Sequence, residues 1–407
     1  MVPNGWSQKT LEDLSIVERG KFSARPRNDP RYFGGEMPFV QTGDVTGSKT
    51  YLNSFTQTLN QDGIGVSKVF PKGSILITIA ANIGDTAITS FDVACPDSVV
   101  AIQPYSTKAD TYWLKNVLDT KKEDLDSQST QNAQKNINLQ VLKPLVILTP
   151  PLSEQKKIAK ILSTWDKAIN TTEQLLANSQ QQKKALMQQL LTGKKRLLDK
   201  NGVRFSGEWK AQRIGSLLKE VKRPVQWDDD SEYHLLSVKR RSEGVVLREI
   251  LKGSDILTKK MNTALAGDFL ISKMQVVHGA TGLVTEEFNK CHISDSYIAL
   301  RPKDDEKIDI AFFSWFSKQK IMYHKAFLCS YGVHIEKMTF NFNMFVKERV
   351  VIPVTLEEQQ KIATILSIAD QEISALQQKL AALKQEKQAL MQQLLTGKRR
   401  VKVEEAA

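Results

Sequence analysis

The chain has only three cysteines in 407 residues and no long apolar run. Cys95, Cys291 and Cys329 are an odd number and lie far apart, so no disulfide framework or CxxC metal site is visible. The longest apolar run, residues 75–83, is too short to cross a bilayer. Residues 1–10 have no apolar signal core. We therefore expect a cytoplasmic protein with no membrane association.

Motifs that mark common catalytic sites are also missing. There is no GxxxxGK[ST] phosphate loop, and the one Pro-Pro pair, in TPPLS (149–153), opens a predicted helix instead of forming an Asn/Asp-Pro-Pro-Tyr/Phe motif. The acidic run KDDEK (303–307) is typical of a solvated loop. His324, Cys329 and His334 lack a fourth ligand and suitable spacing for zinc. We expect no catalytic residue, metal or cofactor in this chain.

The charge balance is basic, with 57 Lys and Arg against 45 Asp and Glu and a formal net charge of +12. A basic protein of this size often binds a polyanion, because neutralising phosphates releases their counterions. Many basic proteins nevertheless bind no nucleic acid, so charge alone leaves the partner open.

The sequence contains a long internal repeat. The phrase ALMQQLLTGKKR (185–196) returns 204 residues later as ALMQQLLTGKRR (389–400), with one change in twelve residues. EQKKIAKILSTWDKAI (154–169) matches EQQKIATILSIADQEI (358–373) at the same offset. Elsewhere the repeat persists loosely and its offset drifts. The order is therefore globule, helix, globule, helix.

The strict part of the repeat has the pattern of two long amphipathic helices. Apolar residues recur at alternating intervals of four and three, with Gln, Lys and Glu outside this seam. Gly193 and Gly397 follow the last apolar residues, where helices commonly end. Each helix of about 38 residues would be roughly 57 Å long. The predicted seam residues are Ile158, Leu162, Trp165, Ile169, Leu176, Leu186, Leu190, Ile362, Leu366, Ile373, Leu376, Leu380, Leu390 and Leu394.

The globules have the pattern of mixed α and β structure. Short β-branched runs such as SILITIA (74–80) alternate with Gly, Asn and Asp turns. One helix per globule is expected, at residues 111–118 and 310–319, with its aromatic residues in the core. The predicted fold class is α/β (α+β): two copies of a globular domain, separated by two long antiparallel coiled-coil helices, in a pseudo-two-fold internal repeat.

Several phrases, in this order, resemble one known family over nearly the whole chain. They are GW near the start, FPKGSILIT (70–78), STQNAQKNINLQVL (129–142), PPLSEQKKIAKIL (150–162), EEQQKIATIL (357–366) and the twin LLTGK ends. Together they resemble the specificity subunit of a type I restriction–modification system. The second globule departs from the pattern, because CSYGVHIEKMTF (329–340) stands where the first has STQNAQKNIN.

The resemblance implies a non-catalytic subunit that binds double-stranded DNA. Each globule would be a target-recognition domain that reads one half of an interrupted, asymmetric site. The helices would set the half-site spacing and recruit two methyltransferase subunits for adenine methylation, which restriction/translocase subunits would join. S-adenosylmethionine, ATP and Mg²⁺ are implied for those partners. The implied divisions are domain 1 at 1–149, the central helix at 150–196, domain 2 at 197–352, the distal helix at 353–400 and a tail at 401–407.

Basic and amide-rich loops are the candidates for DNA contact, because Arg can pair with guanine, and Asn or Gln with adenine. The candidates in domain 1 are Arg19, Lys21, Arg25, Arg27, Arg31, Ser129, Thr130, Gln131, Asn132 and Lys135. The candidates in domain 2 are Lys239, Arg240, Arg241, Lys273, Gln275, His278, Tyr331 and His334. Each loop also fits an ordinary solvated surface, and His278 fits a structural role.

The basic residues that end both repeats have two interpretations. Residues 194–196 and 398–400 would contact the DNA backbone or stabilise a helix C-terminus electrostatically. Two other functions also stay open for the whole chain, a stand-alone DNA-binding regulator and a coiled-coil scaffold.

Overall fold

The computed structural model describes residues 2–128, 136–332, 334–335 and 338–402. The chain forms two compact units. The first is built from Met1–Glu173 and Gln378–Ala407, and the second from Gln174–Gln377. The units therefore do not follow the linear division into domains and helices, because each long helix contributes one part to each unit.

Within its described residues, the first unit contains eleven strands and the start of the first long helix. The strands are β1 (Ser7–Thr10), β2 (Ser15–Arg19), β3 (Phe33–Phe39), β4 (Tyr51–Leu52), β5 (Gln57–Leu59), β6 (Val69–Phe70), β7 (Ile75–Thr78), β8 (Thr86–Thr89), β9 (Val93–Ala94), β10 (Val99–Pro104) and β11 (Val146–Thr149). The helices are α1 (Leu11–Leu14), α2 (Thr42–Thr46), α3 (Gln61–Gly65), α4 (Thr111–Thr120), α5 (Lys122–Ser127), α6 (Leu139–Leu142) and α7 (Leu152–Leu190). Three sheets form, with strand orders β1-β11, β2-β10-β7-β8-β4 and β5-β3-β9-β6.

The central strands of the first unit are apolar because both of their faces are covered. All four residues of β7 are buried, and Ile77 pairs with Val100 of β10. The main core packs these strands and Trp113 of α4 against Leu162 of α7 and Leu394 near the end of the second long helix. The long helices are therefore part of the core of the unit.

The second unit repeats this arrangement. Its strands are β12 (Lys210–Arg213), β13 (Leu218–Val221), β14 (Glu232–Lys239), β15 (Gly244–Lys252), β16 (Met261–Thr263), β17 (Phe269–Ser272), β18 (Thr281–Leu283), β19 (His292–Ser294), β20 (Tyr297–Pro302), β21 (Ser330–Tyr331), β22 (Thr339–Phe340) and β23 (Arg349–Ile352). Its helices are α8 (Ile214–Leu217), α9 (Ile310–Ser317), α10 (Lys320–Leu328), α11 (Phe342–Phe345) and the second long helix, α12 (Leu356–Leu394). The sheets have orders β12-β23, β13-β20-β17-β18, β15-β14-β19-β16 and β21-β22.

The strand orders confirm the predicted two-copy fold. The sheet β2-β10-β7-β8 corresponds to β13-β20-β17-β18, and β5-β3-β9-β6 corresponds to β15-β14-β19-β16. The parallel pairing inside the smaller of these sheets also matches, since Phe39 lies beside Ala94 in one unit and Leu235 beside His292 in the other. Among the described residues, the larger sheet of the first unit has one strand more, β4.

The prediction of one helix per globule is wrong. Lys121 is both the C-cap of α4 and the N-cap of α5, and two residues separate the end of α9 from the start of α10. These second helices are short and lack a clear apolar period, so helical periodicity does not reveal them. The expected core position of the aromatic residues is confirmed, because Trp113, Phe312 and Phe313 are fully buried.

The two long helices have 39 residues each and end as predicted. Gly193 and Gly397 follow them with φ angles of +71° and +70°, a left-handed conformation that favours glycine. No helix among the described residues is both long and apolar enough to span a bilayer.

The long helices pair antiparallel within each unit. In the first unit, Asp166 of α7 pairs with Lys387 of α12 at 2.6 Å, and Glu173, further along α7, pairs with the earlier Lys384 at 2.8 Å. The predicted seam residues are buried to differing degrees. The buried seam residues are Ile158, Leu162, Ile169, Leu190, Ile362, Leu366, Ile373 and Leu394, and the half-buried ones are Trp165, Leu176, Leu186, Leu376, Leu380 and Leu390.

The second unit pairs the other helix halves in the same direction. Ser179 donates a hydrogen bond to Glu372 at 3.2 Å, and Lys183, further along α7, pairs with the earlier Asp370. Lys183 and Asp370 occupy the repeat positions of Lys387 and Asp166. The same ion pair is therefore made once in each unit, with the roles of the two helices exchanged.

Candidate nucleic-acid interface

An arginine after each long helix binds the acidic start of the other long helix. In the second unit, Arg196 Nε and Nη2 donate to the two carboxylate oxygens of Glu358 at 2.6 and 2.7 Å. In the first unit, Arg400 donates to both carboxylate oxygens of Glu154 at 2.8 Å, and Trp6 Nε1 adds a bond to Glu154 at 3.2 Å. We call these two ion pairs the helix clamps. Because Arg196 and Arg400 are the last residues of the repeated phrase, the helix clamps give that phrase a structural role.

The helix clamps change the interpretation of the basic helix ends. The Glu358 carboxylate raises the pKa of Arg196, chiefly by accepting its hydrogen bonds. Arg196 and Arg400 are thus engaged with carboxylates of the other helix, a role that neither interpretation from the sequence anticipated. Lys194, Lys195 and the pair 398–399 stay exposed beside them.

A glutamine next to each clamp fixes a helix of the same unit. Gln155 Oε1 accepts a bond from the backbone nitrogen of Asp110, whose side chain caps α4, at 2.9 Å. Gln359 makes the same 2.9 Å contact with Asp309, which caps α9. The start of each long helix therefore positions the domain that carries the loops.

The basic loop of the first unit lies beside Asp97. Arg27 Nη2 pairs with the Asp97 carboxylate at 2.8 Å, and Arg19 Nε donates to the backbone oxygen of the same residue. Gly20 allows this close approach, because a Cβ atom there would lie 2.2 Å from the backbone oxygen of Pro96. The loop is thereby fixed to the end of the sheet.

The five basic residues predicted in this loop are all exposed. They are Arg19, Lys21, Arg25, Arg27 and Arg31. Arg31 pairs with Asp29 at 3.0 Å and lies over the Tyr32 ring at 4.8 Å. Arg25 donates to the backbone oxygen of Ala24 at 2.7 Å. The loop exposes several guanidinium groups, and some of their N–H donors are already bonded to neighbouring residues.

The amide-rich candidates of the first unit fall outside the described residues. They are Ser129, Thr130, Gln131, Asn132 and Lys135. The residues that follow them are described, and they attach to the turn after β7. Asn136 forms a bridge with Ala80, and Ile137 N donates to Ile79 O at 3.0 Å.

Three predicted segments of the second unit lie together. Ser242 N donates to Gly279 O at 2.8 Å, and Ser242 Oγ contacts Tyr323 Oη at 2.6 Å. Phe340, in the β21–β22 hairpin, donates from its backbone nitrogen to Lys273 O at 3.3 Å. We call residues 239–242, 272–279 and 330–331 the loop cluster. Separate stretches of sequence therefore meet on one surface.

The predicted residues of the loop cluster differ in accessibility. Lys239, Arg240, Arg241 and Tyr331 are exposed, whereas Lys273, Gln275 and His278 are half-buried. Lys273 Nζ donates to Asp295 O at 2.6 Å, which places it in the support of the cluster. His334 is exposed, close in sequence to the hairpin.

The turn after β7 corresponds to the turn in the loop cluster, and the sequence did not reveal this. Gly84, with φ +87°, lies against Lys122, just as Gly279, with φ +74°, lies against Tyr323. The exposed Asn82 in the first-unit turn donates to Thr46 Oγ1 at 3.4 Å, and sequence reasoning missed it. The drifting offset hid the correspondence. Among the described residues, no group of three or more His, Cys, Asp or Glu could hold a metal ion.

Comparisons with known proteins agree on one family. The model of the type I restriction modification DNA specificity domain matches residues 3–178 and 207–385. A putative type I restriction enzyme MjaX specificity subunit of Methanocaldococcus jannaschii is 25% identical over 98% of this chain and 95% of that protein. The MjaIX specificity subunit of the same organism is 27% identical over 41% of this chain and 39% of that protein.

Solved structures share the fold. The S subunit of a type I restriction–modification system from M. genitalium has a TM-score of 0.60 at 14% identity, covering 96% of both chains. The HsdS subunit from Thermoanaerobacter tengcongensis has a TM-score of 0.51 at 19% identity, covering 98% of both. Because the family model matches two segments that span most of the sequence, this chain belongs to the type I restriction–modification DNA specificity family.

Proposed function

We propose that the chain is a non-catalytic subunit that supplies the sequence specificity of a type I modification–restriction complex. Each unit would read one half of an interrupted, asymmetric site on double-stranded DNA. The observation that carries this proposal is the loop chemistry. The turns after the equivalent strands β7 and β17 have different surroundings: the first unit offers Asn82 and an arginine-rich loop, and the second offers the Lys239–Arg241 turn and Tyr331.

The proposed reading combines two kinds of contact. Exposed Lys and Arg side chains bind phosphates and set the register of the protein on the DNA. These phosphate contacts carry no sequence information. Side chains that reach base edges in the major groove then discriminate, with Arg suited to guanine and Asn or Gln to adenine. Because the two units differ in their loops, their half-sites would differ as well.

The long helices have two proposed roles. As continuous helices with a part in each unit, they set the number of base pairs between the half-sites. Their equivalent clamped ends also offer two methyltransferase subunits equivalent docking surfaces. Each methyltransferase would hold S-adenosylmethionine and extrude its target adenine from the duplex, since base chemistry needs an unstacked base. Restriction/translocase subunits would supply ATP- and Mg²⁺-dependent steps.

The loop cluster provides a direct test. In the double variant Lys239→Gln/Arg241→Gln, we expect the affinity of the complex for its target duplex to fall about 10- to 100-fold, since a base-reading Arg contributes about 1–3 kcal/mol. Fluorescence anisotropy at fixed salt measures this. The matched control is Lys303→Gln/Lys347→Gln, two exposed lysines of the same unit outside the cluster. Equal losses in both variants would argue for general charge attraction and against reading by this cluster.

A further inference from the structure

A lysine-lined cavity lies in the second unit. Its volume is about 690 Å³, and it opens between the last turns of α7 and the junction of α9 with α10. Its lining residues include five lysines, Lys183, Lys184, Lys194, Lys318 and Lys320. None of the described lining residues is acidic. The cavity therefore concentrates positive charge at a concave surface.

Lys318, a half-buried lysine of the lining, has no carboxylate at ion-pair distance among the described residues. Lys318 Nζ lies 4.0 Å from the centre of the Trp315 ring, and Lys183 Nζ lies 5.1 Å from the same ring. Lys183 pairs with Asp370. Burial is the largest influence on Lys318 and lowers its pKa, while the nearby Asp370 charge acts in the opposite direction. A bound anion would offset the cost of keeping this ammonium charged.

The cavity lining also contains polar and apolar side chains besides the lysines. Gln319 Nε2 is buried and has no hydrogen-bond partner within the described part of the chain. Gln188 and Thr192 lie in the same lining, and Met187 and Ile373 add apolar surface. The lysine ammonium groups, the Gln188 amide and the Thr192 hydroxyl can all donate hydrogen bonds, which favours a ligand that accepts them.

Part of the charge of the cavity is particular to the second unit. When α4 and α9 are aligned on their capping residues Asp110 and Asp309, Asp119 stands where the second unit has Lys318. Asp119 is itself paired with Lys115 at 2.7 Å. In the helix repeat, Gln388 stands in the position of Lys184. Lys184 and Lys318 are therefore particular to the second unit, whereas Lys183 and Lys194 have counterparts at 387 and 398.

We propose that this cavity is an anion site that takes two or more linked phosphate groups. Linked phosphates fit better than a single carboxylate, because they present several charges and acceptors over the spread of five lysines. Their two sources are the backbone of DNA and a free nucleoside polyphosphate. The DNA source rests on the proposed function, whereas the site itself does not.

The first experiment titrates tripolyphosphate into the full chain by calorimetry at low salt. The test variant is Lys184→Gln/Lys194→Gln/Lys320→Gln, which changes three exposed lysines of the cavity. The matched control is Lys210→Gln/Lys303→Gln/Lys347→Gln, three exposed lysines of the same unit outside it. Wild type and control are expected to bind alike, and the test variant at least tenfold more weakly. No binding by the wild type, or equal binding by both variants, would overturn the proposal.

The second experiment identifies the source of the phosphates. The logarithm of the affinity for duplex DNA is measured against the logarithm of salt concentration for the same three proteins. If the DNA backbone occupies the cavity, the slope of the test variant is expected to decrease in magnitude by about 2–3 relative to the control, at about 0.9 per lost contact. An unchanged slope with lost tripolyphosphate binding assigns a free polyphosphate. A wild-type chain that binds tripolyphosphate but fails to bind target DNA in any complex contradicts the proposed function alone.

Discussion

Replacing Glu358 with alanine is expected to destabilise the second unit by about 3 kcal/mol, because it leaves Arg196 without its partner. The Glu358 side chain is 2% exposed and that of Arg196 19%, and removing one partner of a buried ion pair costs about 3–5 kcal/mol. The lower end applies because the guanidinium retains some access to water. The melting temperature of the full chain should fall by roughly 6–12 °C, at about 2–4 °C per kcal/mol for a unit of this size.

Glu357 provides the control for this helix clamp. It is the preceding residue and its side chain is 43% exposed. It pairs with Lys361 at 3.9 Å and accepts an exposed bond from the backbone nitrogen of Lys200 at 3.1 Å. Glu357→Ala is expected to cost less than about 1 kcal/mol, as exposed ion pairs do. The double variant Arg196→Ala/Glu358→Ala should recover part of the lost stability, because no uncompensated charge remains. Equal losses of stability from Glu357→Ala and Glu358→Ala would show that the clamp stabilises the unit no more than an exposed ion pair does.

Removing one heptad from each long helix is expected to change the DNA target itself. Residues 174–180 and 371–377 both belong to the second unit and include the bonded pair Ser179 and Glu372. Seven residues shorten a helix by about 10 Å and turn its apolar face by only about 20°. If the helices set the spacing, the gap between half-sites should shrink by about three base pairs, or methylation should stop, while the bases in each half-site stay the same.

The control for the heptad variant removes residues 174–180 alone. That single deletion shifts α7 against α12 by one heptad, which separates Lys183 from Asp370, and it should lower the thermal stability of the chain. The readout for the matched deletion is the map of methylated adenines. A folded matched variant that methylates sites of the original spacing would refute the proposed spacer role.

The sequence predicted the fold well where the repeat is strict. Eleven identical residues of twelve at one offset predicted two equal helices, and the glycines at 193 and 397 predicted their ends. The clamps were missed, although Glu154, Glu358, Arg196 and Arg400 all keep the same offset. The missing information was the antiparallel pairing, which brings the end of one helix to the start of the other.

Sequence reasoning was weaker for the candidate DNA contacts. It named the basic loops, but the meeting of Ser242 with Gly279 and Tyr323 joins residues far apart in the chain, and such contacts depend on tertiary packing. It also treated Lys273 like its exposed neighbours, although Lys273 is half-buried and bonded to Asp295. The lysine cavity was missed for the same reason, since its lining combines parts of α7, α12 and the α9–α10 junction.

The measurement that tests the proposed function most directly is methylation mapping. The chain is co-expressed with its neighbouring methyltransferase in a host without DNA methylation, and modified adenines are located across the genome. We expect one interrupted, asymmetric motif that is methylated on both strands. A change in the loops of one unit should alter the bases of one half of the motif and leave the other half unchanged. A stable complex of the two proteins that leaves the genome unmethylated, or a motif without a gap, would contradict the proposed function.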